Sequence, residues 1–228
     1  MRLMPLDAFT GSLGQRVYQT LRAAILSLAY RPGEILRKPE ICAGLGVSRS
    51  PVADAMARLA TEGLVDVIPQ AGTFVARFSM AEIREGAFLR EAIEVAAIER
   101  VATRITEDQL TQMRRNLTVQ AALVADGDAA GFYAQDAMMH ELLLSFTGFR
   151  KLAQVSDTAW LHVNRARQLV LPVPGRVAAT LDEHRAILAA LEARDPASAR
   201  LAVQVHLRQL VSYLEPLERD RPDLFAPN

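Results

Sequence analysis

A chain of 228 residues, 50% hydrophobic and 23% charged, is long enough for one large domain or two ordinary ones and too apolar to remain disordered. Its 26 basic side chains balance 26 acidic ones, so bulk charge argues for neither a nucleic-acid nor a membrane partner. One cysteine, Cys42, excludes an intrachain disulfide and suits a reducing compartment. The opening "MRLMPLDAFTGSLG" lacks the apolar core and small-residue cleavage site of a signal peptide. No uncharged apolar run reaches the roughly 18 residues that a membrane span needs. The expectation is a soluble, cytoplasmic protein.

The zero net charge conceals an asymmetry. Residues 1–78 carry 9 Lys+Arg against 6 Asp+Glu, and residues 79–228 carry 17 against 20. The texture changes at the same place, from short segments rich in glycine and β-branched residues to long Ala/Leu/Arg/Glu-rich segments with helical periodicity. A domain boundary is expected near Phe78–Ser79.

The first element, "SLGQRVYQTLRAAILSL", places Leu13, Val17, Leu21, Ile25 and Leu28 on one helical stripe. "YRPGE" ends it with a Pro-Gly turn. "KPEICAGLG" reads as a short helix with Pro39 near its start and Gly46 near its end. "VSRSPVADAMARLATEG" follows, with Ser48 or Ser50 as N-cap and Gly63 as the stop. "LVDVIP" and "TFVARF", bunched in β-branched residues about "QAG", predict a two-stranded hairpin. Two short helices joined by a tight glycine turn and followed by a hairpin describe a winged helix-turn-helix, whose second helix enters the major groove.

"RPGEIL…ICAGLGVSRSPVADAMARLATEGLVDVIPQAGTFVA" resembles the DNA-binding domain of the GntR family of bacterial transcription regulators, over about 60 residues. The resemblance implies base or phosphate contact by Arg49 of the "SR" pair, and arginine can bond guanine O6 and N7 together. Ser48 and Ser50 stand at the helix N-terminus, where hydroxyls and the dipole favour phosphate. Arg58, further along, is a candidate phosphate contact or a solvated helix position. Gly72 matches the wing glycine. The chain departs from the family pattern at Pro39, Ala53 and Ala71, where arginine or another basic residue is usual. Arg37 and Lys38 flank the first of these and are candidates to substitute. The partner implied is double-stranded DNA, read as a palindrome by a homodimer.

Beyond residue 78 no strand pattern remains. Ser79-x-x-Glu82 and Thr106-x-x-Gln109 have capping-box spacing. Six helical segments follow in order: "SMAEIREGAFLREAIEVAAIERVATRI", "TEDQLTQMRRNLTVQAALVAD", "DAAGFYAQDAMMHELLLSF", "RKLAQVSDTAWLHVNRARQLV", "RVAATLDEHRAILAALEARD" and "PASARLAVQVHLRQLVSYLEPLERD". The fold class expected is mainly α: a winged helix-turn-helix at 1–78 and an all-helical bundle at 79–228.

Within "DAMMH", Asp136 and His140 lie four residues apart and so share one helix face. His184 and His206 sit in the interiors of two further helices. One carboxylate and three imidazoles suit zinc, nickel, manganese or iron. This arrangement is similar to the helical effector-binding domain of the FadR-type branch of the GntR family, whose metal signature matches Asp136, His140, His184 and His206. That resemblance implies a divalent ion, zinc foremost, with open positions for a small organic acid beside an arginine, here Arg90. A surface ion pair with Glu94 is the plain alternative for Arg90. Asn164 and Arg165 are further effector candidates, and His162 falls outside the signature.

An enzyme is not expected. "HELLL" has leucine at 144, which breaks H-E-x-x-H, and no nucleophile elbow or phosphate loop occurs. The function expected is an organic-acid-controlled transcription regulator. The alternative is a regulator for which the metal itself is the signal.

Overall fold

The computed structural model describes residues 3–152, 155 and 159–227. The chain divides into two compact units, one formed by Met1–Met80 with Leu217–Asn228 and the other by Ala81–Pro216.

In the first unit, α1 (Leu13–Leu26) starts at Ser12, whose hydroxyl accepts from the Gln15 amide, and it buries Val17, Leu21, Ala24 and Ile25. Helix α2 (Lys38–Leu45) carries Pro39 in its first turn and stops at Gly46, whose φ of 65° is the left-handed conformation that favours glycine. Helix α3 (Arg49–Thr61) buries Val52, Ala55, Met56 and Leu59 at helical spacing, against α1. Strands β1 (Val65–Ile68) and β2 (Gly72–Val75) pair antiparallel from Val65↔Val75 to Ile68↔Gly72. This is the winged helix-turn-helix that the sequence patterns predict. Ile35 adds an isolated bridge to Phe74.

The last residues were expected in the helical domain, within 79–228, but Leu217–Asn228 belong to the first unit. Phe225 is buried and forms a parallel bridge with Phe78, their rings 5.8 Å apart. The Phe78 amide donates to the Leu224 carbonyl at 3.0 Å, and the Ala226 amide donates to the Phe78 carbonyl at 2.8 Å. Arg77 Nε donates to the Asp223 carbonyl. A one-residue bridge has no periodicity, so no sequence pattern announces it.

The second unit is helical: α4 (Met80–Ala102), α5 (Glu107–Asp126), α6 (Ala129–Phe146), α7 (Leu161–Val170), α8 (Arg176–Glu192) and α9 (Pro196–Asp220), the last running past the unit's end at Pro216. The Thr106–Gln109 capping box forms with both bonds, at 3.2 and 3.0 Å. Part of the segment expected to lead into α7 (153, 154 and 156–158) lies outside the described residues. One apolar core joins five helices through Ile98, Val101, Leu110, Met113, Met139, Leu143, Ile187, Leu191 and Val203. Three histidines and an aspartate interrupt the same helices on their buried faces, where desolvation penalises any unpaired polar group.

Candidate metal and effector site

Helix α6 presents Asp136 and His140, α8 presents His184, and α9 presents His206; all four are buried. One ligand atom from each lies within 4.8 Å of every other. Each imidazole is oriented by a different neighbour. His140 Nδ1 is 2.6 Å from Glu94 Oε2, His184 Nδ1 is 2.7 Å from Gln120 Oε1, and His206 Nδ1 is 2.7 Å from Glu183 Oε2. Gln120 is held in turn by donating to Asn116 Oδ1 at 2.7 Å. Acceptors at all three Nδ1 positions assign the proton there and leave every Nε2 with a lone pair.

That assignment creates a conflict which a cation resolves. His140 Nε2 and His206 Nε2 stand 3.2 Å apart, two lone pairs facing each other. His184 Nε2 and both Asp136 carboxylate oxygens find no hydrogen-bond donor among the described residues, although Arg167 Nη2 makes an ion pair with Asp136 Oδ2. Ligands about 2.0–2.1 Å from one zinc ion stand roughly 3.0–3.4 Å from each other, which accommodates the imidazole separation. Burial lowers the pKa of all three histidines, His184 and His206 well below the usual value, so the neutral form needed for coordination prevails. The residues fit a divalent ion.

A cavity of about 40 Å³ adjoins this cluster, lined by Asp136 and His206 together with Arg90, Arg167, Arg176 and Thr180 and, on its apolar side, by Val170, Leu171, Leu207 and Leu210. Arg90 therefore faces the site, and it also pairs with Glu94 at 2.6 Å; the pair is buried, not the surface pair of the plain alternative. Burial pushes the Glu94 carboxyl up, but Arg90 and His140 overcome this and hold it well below the usual carboxylate range. Burial pulls Arg167 down to about 10, which leaves it charged at neutral pH.

Asn164 and Arg165 do not line the cavity. Asn164 is half-buried, with its carbonyl accepting from the Tyr133 hydroxyl, and Arg165 is fully buried in α7. The cavity arginine of α7 is Arg167, two residues on. Its signal in the sequence was an arginine on the apolar stripe of Val163, Ala166 and Val170. The sequence carries no signal for Arg176, Gln120 and Glu183, nor for the bond from Glu94 to His140, because these roles depend on which helices become neighbours. His162 stands apart from the cluster, 3.7 Å from Glu82.

In the first unit, Ser48, Arg49 and Ser50 are exposed at the start of α3, with the Ser48 side chain unused as a cap. Arg37 and Lys38 are exposed at the start of α2, Arg37 within 3.4 Å of Glu40. The Arg58 guanidinium lies over the Tyr18 ring at 3.8 Å, tying α3 to α1. Gly72 opens β2 with φ of 132°, and a Cβ there would meet Ile35 at 3.3 Å.

Residues 13–75 match the model of the gntR family of bacterial regulatory proteins, and residues 85–209 match the FCD domain. The chain belongs to the GntR family and carries an FCD domain. An HTH-type transcriptional regulator in an unstable DNA locus of Streptomyces ambofaciens is 33% identical over 210 residues, 92% of this chain and 88% of that protein. The HTH-type transcriptional repressor RspR of Escherichia coli K12 is 30% identical over 217 residues, 95% of each chain. Two solved structures share the fold at TM-score 0.77. One is a GntR regulator from Rhodococcus sp. RHA1, at 24% identity over 89% of this chain and 97% of that one. The other is E. coli McbR/YncC, at 19% identity over 91% and 99%. This GntR/FCD protein is a DNA-binding transcription regulator with a C-terminal effector-binding domain. No helix among its described residues is long and apolar enough to cross a membrane.

Proposed function

We propose that this GntR/FCD regulator is cytoplasmic and not an enzyme, and that it controls operator binding through a small organic acid held at a divalent metal in the helical unit. One observation carries the reading: four buried donor atoms converge beside a cavity that three guanidiniums also line. Asp136, His140, His184 and His206 hold the ion, zinc being the ion that this nitrogen-rich set suits best. When bound, the ion would supply a Lewis-acidic centre, and one that accepts more than these four ligands would take an acid carboxylate as well. Glu94, Gln120 and Glu183 orient the imidazoles, and Arg90 with its neighbours receives the anion through charge-assisted hydrogen bonds.

A signal consisting of the metal alone is not favoured, since the cavity beside the cluster is lined by guanidinium groups with N–H donors beyond those bound to Glu94 and Glu183. At the other end, a homodimer reads a palindromic site with Arg49 against bases. Ser48, Ser50, Arg37 and Lys38 lie against phosphate, and Gly72 shapes the wing. Arg58 serves chiefly to hold α3 on Tyr18.

Metal content of purified variants tests the site. His184→Ala and His206→Ala should each lose bound metal and melt at lower temperature, whereas His162→Ala should retain the wild-type ratio. An undiminished ratio in His184→Ala would remove that residue from the site.

A further inference from the structure

The charges around the cavity cancel in pairs. Arg90 is bound to Glu94 and Arg167 to Asp136, while Arg176 holds Glu183 through two parallel bonds at 2.7 and 2.6 Å. The three guanidiniums and the Glu94 and Asp136 carboxylates are buried, and the Glu183 side chain is 15% exposed. The imidazoles add no charge when they serve as ligands, each donating its Nδ1 proton to Glu94, Gln120 or Glu183 and turning an Nε2 lone pair to the ion. Three positive groups against three negative ones make the protein's own cluster neutral. A divalent ion raises it to two positive charges among mostly buried side chains, where uncompensated charge is costly. A monocarboxylate cancels half of that surplus, and two carboxylates cancel all of it.

Donors for a second carboxylate stand in the same wall. The bonds to Glu94 and Glu183 use one of the five N–H groups of Arg90 and two of those of Arg176. Arg176 is the first residue of α8, and its guanidinium packs 5.3 Å from the Tyr213 ring centre, which restrains the fork. The volume, about 40 Å³, equals about three waters at 10–15 Å³ each, and so favours a short acid.

We infer that the effector is a short-chain dicarboxylate, bound only after the divalent ion, and that Arg176 is the residue selecting for its second carboxylate. The inference rests on the proposed organic-acid reading and narrows it to one class of acid. It also makes each of Arg90 and Arg176 a neighbour of both the effector and, through one glutamate, a metal-bound histidine.

Malate and lactate form the discriminating pair, since both are α-hydroxy acids and only malate has a second carboxylate. Calorimetry on full-length, zinc-loaded protein should give malate an affinity at least about tenfold above that of lactate. Protein stripped with chelator should bind neither. Arg176→Gln should narrow the malate–lactate gap to about threefold or less. Arg176→Lys, which keeps the charge and loses the two-pronged geometry, should narrow it partway if the fold is intact by thermal melting.

Equal affinities for the two acids on zinc-loaded wild type would overturn the dicarboxylate assignment and leave the organic-acid reading standing. Malate binding unchanged in stripped protein would overturn the metal dependence. Inorganic phosphate matching malate would show that the site reads charge alone, which also overturns the assignment. Failure of every acid to bind zinc-loaded protein would remove both the assignment and the organic-acid reading, whereas failure of His184→Ala to lose metal would remove only that residue from the ligand set.

Discussion

Glu94 and Glu183 each serve two masters, an arginine on the cavity side and an imidazole on the metal side. Their removal therefore has two separable costs. Glu183→Gln retains an acceptor for His206 Nδ1 while losing the charge, and it should weaken metal binding by roughly 10–100-fold, read by competition with a chromogenic chelator. Glu94→Ala leaves Arg90 buried without its carboxylate partner, which typically costs about 3–5 kcal/mol and should appear as a large fall in melting temperature. The sign of the pH dependence follows from the depressed Glu94 carboxyl. Its stabilising contribution is complete above the unfolded value near 4.5 and is lost as the pH falls below it. An Arg90→Ala variant is for the same reason a poor probe of effector binding alone; Arg90→Lys keeps the charge beside Glu94.

Secondary structure follows local signals closely where those signals are chemical. Thr106 and Gln109 cap α5 reciprocally, Gly46 ends α2 in the left-handed conformation, and the β-branched runs about residues 69–71 form the wing. The Asp136–His140 spacing was legible for the same reason: four residues make one helical turn, and turn geometry does not depend on the rest of the fold. His184 and His206 could be assigned to helices but joined to the site only by family resemblance. Arg167 and Arg176 were beyond local reasoning, because the reach of a long side chain is set by the helix it meets. The pairing of Phe78 with Phe225 was equally hidden, since 146 residues separate them and each contributes a single bridge. This tail contact should matter to the first unit. Phe225→Ala removes a buried ring and should cost about 3 kcal/mol locally, seen as faster hydrogen exchange at the Phe78 and Ala226 amides. Unchanged protection at both amides would show that the tail contributes nothing to the unit.

At the scale of the whole molecule, one chain joins a DNA-reading unit to an anion-receiving one, and the function lies in their coupling. Arg49→Ala should weaken operator binding by about 1–3 kcal/mol and relax specificity at the base pair contacted, measured by anisotropy on operator and single-substitution fragments. Equal losses on operator and random DNA would assign Arg49 to phosphate instead. An effector can shift the regulator only by binding its two states with different affinity, so ligand affinity and operator affinity must change together. The most direct measurement is operator affinity of zinc-loaded protein with and without saturating malate, for wild type and for metal-free His184→Ala. The account predicts a shift of roughly 5–150-fold in wild type and none in the variant, with operator binding itself retained. A full malate response in a His184→Ala protein shown to lack metal would contradict it.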